Sequence, residues 1–89
     1  MTRRSKGDVD WRDYIVSDES VLSGKPIVKG TRLSVELVLE LLAAGWDREA
    51  LQDSYPQLTE ERIRAVLAYA AASFRDERFY LLPPVATSR

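Results

Sequence analysis

From Ser34 to Gly45 the chain reads S-V-E-L-V-L-E-L-L-A-A-G, a helix with almost no side to give to water. Ser34 is a good cap residue, and Glu36 falls in the first turn, where the helix dipole favours negative charge. Gly45 stands where a C-terminal glycine belongs. Val35, Val38, Leu39 and Leu42 fall at helical spacing on one face. Leu37, Leu41 and Ala44 extend a second apolar face, leaving Glu36, Glu40 and Ala43 for solvent. A helix apolar on so much of its circumference is covered on two sides. A chain of 89 residues forms one small domain that buries only a modest share of its surface. The second cover is therefore expected to be a second subunit, with Leu37, Leu41 and Ala44 at the dimer interface.

The residues leading into this helix read as extended structure. Tyr14-Ile15-Val16 is aromatic and β-branched, and Ser17-Asp18-Glu19-Ser20 is turn-prone. Ser23-Gly24-Lys25-Pro26 is a second turn, with Pro26 biasing Lys25 away from helix. A two-stranded hairpin over about 14–17 and 26–29 follows, and a lone hairpin must lie on the helices or pair with another copy. Gly30 supplies the positive φ for a sharp turn into Thr31-Arg32. Gly24-Lys25 is followed by Pro26 and by no helix, so it is not a phosphate-binding P-loop. Residues 1–12 are polar and charged and read as a flexible arm, either a basic arm that touches phosphate or an unstructured end.

Two more helices follow. Asp47 caps a short one over about 48–54, with Ala50 and Leu51 inward, and Tyr55-Pro56 stops it. Thr59 caps a third, to about Arg75, with Glu60 and Glu61 matched to the dipole. Its inner face is expected to hold Ile63, Val66, Leu67, Ala70 and Phe74, with Ala65, Tyr69 and Ala72 on other faces. Pro83-Pro84 end any helix beyond it.

Composition excludes several kinds of chemistry. The chain has no cysteine and no histidine, which removes thiolate chemistry, Cys-based zinc sites and the commonest general base. Asp8, Asp10, Asp13 and Asp18 are too mobile a set to hold a metal. No nucleophile–base–orienter set is present, so no enzymatic activity, cofactor or metal is expected. No apolar run reaches the roughly 18 residues that span a membrane. The basic start lacks the apolar run of a secretory signal, and a cytoplasmic protein is the expectation.

The net charge of −1 does not advertise nucleic-acid binding, which draws on Lys and Arg. Residues 1–32 nonetheless hold seven basic groups against five acidic ones. A short helix, a compact turn and a longer capped helix match a helix-turn-helix, whose second helix would enter the major groove N-terminus first. Gln57, Thr59, Arg62 and Arg64 are its candidate DNA-binding residues, and Arg32 is a fifth. Arg32 equally fits a partner carboxylate or an internal ion pair. Glu60 and Glu61 at the same end oppose phosphate, and an ordinary three-helix core accounts for the pattern as well. Beyond the domain, Phe74, Arg75, Arg78, Phe79, Tyr80 and Leu82 combine aromatic anchors with arginine, the favoured content of binding hot spots. That segment either binds a partner or folds back on its own core or a homodimer mate.

Two stretches carry a family resemblance: G-K-P-I-V-K-G-T-R-L-S-V-E-L-V-L-E-L-L-A-A-G and D-R-E-A-L-Q-D-S-Y-P-Q-L-T-E-E-R-I-R-A-V-L-A-Y-A. Over about Tyr14 to Ala71 the chain resembles the bacterial and archaeal domain-of-unknown-function family 433. The elements carrying the likeness are Gly24-x-Pro26 with Gly30-Thr31-Arg32, and Tyr55-Pro56-x-Leu58-Thr59. The resemblance implies a mainly α fold: a small three-helix, winged-helix-like helix-turn-helix domain with a short N-terminal β-hairpin. The residues themselves divide the chain into an arm (1–12), the domain (13–73) and a C-terminal partner-binding segment (74–89). Family members are similar to VapB-type antitoxins of toxin–antitoxin modules. The resemblance therefore implies a homodimeric antitoxin that neutralises a PIN-like ribonuclease toxin and binds operator DNA to autoregulate its operon. The competing expectation is a dimerisation or protein-interaction module without a DNA role.

Overall fold

Each expected element forms in the computed structural model, which describes residues 9–76. After a 3-10 turn at Trp11–Asp13 come β1 (Ile15–Ser17), β2 (Pro26–Val28), α1 (Val35–Ala43), α2 (Arg48–Ser54) and α3 (Glu60–Asp76). The fold is mainly α: three helices behind a short antiparallel hairpin.

Local chemistry sets the boundaries. The Ser34 hydroxyl accepts from the Leu37 N–H at 2.9 Å, and the Asp47 carboxylate accepts from the Ala50 N–H at 2.9 Å. Thr59 Oγ1 accepts from the Arg62 N–H at 3.3 Å. Each cap satisfies one of the N–H groups that a helix start leaves without a partner. At the far end of α1, Gly45 takes φ +104° and the Trp46 N–H returns to the Leu41 carbonyl at 3.0 Å.

In the hairpin, Ile15 pairs with Val28, Val16 with Ile27 and Ser17 with Pro26. Ile15 and Val28 both face the core. On the outer edge of β2 the Val28 N–H donates to the Leu33 carbonyl at 2.9 Å. The chain thus doubles back along β2 before α1 begins.

The core gathers one or more residues from both strands and all three helices, Ile15, Val28, Val35, Val38, Leu51, Ile63 and Val66 among them, together with Leu58 from the turn before α3. Leu51 is fully enclosed, which anchors the short α2. Burying a side chain of this size contributes about 1.5–3 kcal/mol, and Leu51→Ala is expected to cost about 2–5 kcal/mol.

α3 departs from the expected facing. Ala65 is fully buried, Tyr69 packs on the core, and Leu67 and Phe74 are exposed by 45 % and 62 %. The reason is the chain's first turn. Trp11–Asp13 and β1 pack on α3 alongside α1, so the buried face is rotated toward Ala65 and Tyr69. Trp11 meets the Tyr69 ring edge-on at 5.0 Å between centroids, and Arg12 lies over the Trp11 ring at 4.7 Å. Residues 9–12, expected to lie in the arm, are thereby placed against the domain; residues 1–8 lie outside the described residues.

Candidate functional site

The Gly30-Thr31-Arg32 element is a joint. Gly30 takes φ +80°. The Thr31 hydroxyl donates to the Val28 carbonyl at 2.8 Å and accepts from the Leu33 N–H at 3.0 Å. Two hydrogen bonds through one side chain hold β2 to the start of α1. Arg32 and Lys29 flank this turn, both exposed. Neither has an ion-pair partner among the described residues, so the internal pair considered for Arg32 does not form there. Both line a depression of about 670 Å³ together with Asp18 and Glu19, which offset the attraction for phosphate.

Tyr55-Pro56-x-Leu58-Thr59 is also structural. Leu58 is buried and its N–H donates to the Tyr55 carbonyl at 2.8 Å, while Thr59 caps α3. Gln57 is exposed at the turn, and its carbonyl accepts from Arg62 Nη1 at 2.7 Å. Arg64 Nη2 lies 2.9 Å from Glu60 Oε2, and Arg48 Nη1 reaches the same oxygen from α2 at 3.4 Å. The structure thus brings Gln57, Thr59, Arg62 and Arg64 together at the start of α3, as the sequence predicts. It also engages both arginines within the chain. These pairs are half-exposed, so each is worth about 0–1 kcal/mol and can be exchanged.

The C-terminal candidates begin at Phe74 and Arg75, both exposed on the last turns of α3. Arg78, Phe79, Tyr80 and Leu82 lie outside the described residues. Sequence reasoning missed that Leu67, Ala71 and Phe74 form one exposed stripe at the i, i+4, i+7 spacing of a helix that lies in a partner's groove. The available signal was Trp11: a large aromatic in a polar segment implies a covering partner, and that partner rotates α3. Lys29 was also missed.

The face assigned to the dimer is mixed. Leu37 and Leu41 are half-buried, Leu41 against the core, and Ala44 is exposed. Among the described residues no group of three or more Asp or Glu could hold a metal ion, and no helix is long and apolar enough to cross a membrane.

A curated relative is the uncharacterized protein y4eO of Sinorhizobium fredii (strain NBRC 101917 / NGR234), 37 % identical over 62 residues. The match covers 70 % of this chain and 28 % of that protein, so the chain spans little more than a quarter of the relative's length. No solved structure matches the chain. The family profile described as "Protein of unknown function (DUF433)" matches residues 15–70, a span that takes in the hairpin, the joint, α1, α2 and most of α3, and the chain belongs to that family.

Proposed function

We propose that this chain is a non-enzymatic, antitoxin-like binding protein that neutralises a PIN-like ribonuclease toxin. The observation that carries this reading is the exposed Leu67–Ala71–Phe74 stripe on α3, leading into Arg75 and the aromatic residues Phe79 and Tyr80. An apolar helix stripe that ends in arginines fits a groove beside a carboxylate-lined catalytic cleft. The apolar side chains supply burial, and the guanidinium forks pair with the carboxylates. The test is binding to such a nuclease by full-length Phe74→Asp and Arg75→Glu variants. Loss of affinity with an unchanged circular dichroism spectrum supports the reading, and unchanged affinity removes it.

In the same reading the protein is a cytoplasmic homodimer that binds its operator through Gln57, Thr59, Arg62 and Arg64, with Arg32 and Lys29 on phosphate. A second reading, partner binding without DNA, is favoured by one observation. Arg62 and Arg64 are engaged by the Gln57 carbonyl and Glu60, beside a further acid at Glu61. A shift assay on DNA upstream of the gene, repeated at several salt concentrations, separates the two. Operator binding that is unaltered in Arg62→Ala and Arg64→Ala excludes α3 as the recognition helix.

A further inference from the structure

Beside α1 runs an apolar groove of about 430 Å³, walled on one side by Pro26 and floored by Val35, Leu39 and Ala43. Val35, Leu39 and Ala43 are four residues apart, so they follow one line along the helix. This line flanks the core face on the side opposite Leu37 and Leu41. Its charged rim is asymmetric along the helix axis. Lys25 sits at the N-terminal end, 3.3 Å from Glu36, with both side chains more than half exposed. Glu40 lies one turn further on and has no ion-pair partner among the described residues.

We infer that the occupant of this groove is α1 of a second copy of the chain, lying antiparallel about a twofold axis at Leu39. A twofold interface must be self-complementary, and this rim is. Rotation about Leu39 places Val35 opposite the partner's Ala43 and brings Lys25 to the partner's Glu40. At 1.5 Å per residue the two charges are offset by only about 3 Å along the axis. A parallel arrangement would instead stack Glu36 and Glu40 on their own copies. Ala43 is small enough to let the facing helix approach, and Leu39, half-buried against the chain's own core, packs with its remaining surface on its counterpart. The inference concerns only the homodimer of the reading above, and replaces the Leu37, Leu41 and Ala44 face as its surface.

The test needs neither toxin nor DNA. Light scattering on the full-length chain over a concentration series should give twice the chain mass, and Leu39→Asp should give the single mass with an unchanged circular dichroism spectrum. Lys25→Glu and Glu40→Lys should each weaken dimerisation about tenfold, and the double swap should restore it, which only a pair across the interface allows. Because the native chain has no cysteine, Leu39→Cys should oxidise to a covalent dimer while Asp53→Cys on α2 should not. A monomeric wild type, whether the groove then holds residues 77–89 or another protein, overturns the inference. So does a dimer that survives Leu39→Asp, or one lost in Phe74→Asp instead. A monomer that still binds the nuclease would remove the dimer and leave the antitoxin reading standing.

Discussion

Glu60 lies within 3.4 Å of Arg48, the first residue of α2, so one carboxylate clasps the two helices of the candidate DNA-binding element. It also holds Arg64 at 2.9 Å. Exposed pairs of this kind add little stability, so their main effect is on charge. Glu60→Gln is expected to change the unfolding free energy by less than about 1 kcal/mol. If α3 meets DNA, the same variant should bind it more tightly and with a steeper salt dependence, because two guanidinium groups are released toward phosphate. Unchanged DNA affinity would favour the reading without a DNA role.

The joint at Gly30 makes a prediction about backbone rather than packing. A Cβ there would meet nothing within 4 Å, yet φ is +80°. Gly30→Ala should therefore cost about 1–2 kcal/mol through the left-handed conformation alone, and Gly30→Asn should cost less because asparagine tolerates that region better. Urea unfolding checks both. Equal losses for Ala and Asn would contradict this account of the turn.

Trp11 and Tyr69 tie the first turn to α3. A double-mutant cycle with Trp11→Leu and Tyr69→Leu should return a coupling of about 0.5–1.5 kcal/mol. Additive losses would mean that the edge-on contact is incidental. Arg12→Ala should have a smaller effect, since its position over the Trp11 ring is exposed.

The loop between the strands should respond to acid. Asp18 Oδ1 accepts from the Ser20 hydroxyl at 2.7 Å and from the Ser20 N–H at 2.9 Å. The hydroxyl foremost, and then the N–H, hold the carboxyl below its ordinary value. A lowered folded value means that the contribution is present above the unfolded pKa and is lost as pH falls through the folded one. Ser20→Ala should move the Asp18 titration upward, part of the way to the ordinary value, in an NMR pH series. No movement would show that the hydroxyl does not hold the charge.

Element boundaries were legible because their signals are local. Ser34, Asp47 and Thr59 act as caps through their own side chains, Gly45 has the positive φ of a helix end, and Pro56 stops α2. The hairpin register follows from Ile15 and Val28, which must share the buried face. The facing of α3 was not legible. Periodicity placed Leu67 and Phe74 inward as well as Ile63 and Val66, and the choice among overlapping arcs of a helix is made by what packs on it. Here the Trp11 turn, remote in sequence, moved the buried arc to Ala65. The candidate site divides in the same way. Gln57, Thr59, Arg62 and Arg64 were recognisable by position, whereas the sharing of Glu60 between Arg64 on its own helix and Arg48 on α2 required three dimensions.

The central claim is that the outer stripe of α3 holds a nuclease partner. It is tested most directly by titrating the full-length chain, wild type and Phe74→Asp, calorimetrically against the product of the adjoining reading frame. The account predicts tight binding by the wild type and an affinity weaker by about 2 kcal/mol or more for the variant, the cost of losing an aromatic anchor. No binding, or equal affinities for the two proteins, would contradict it.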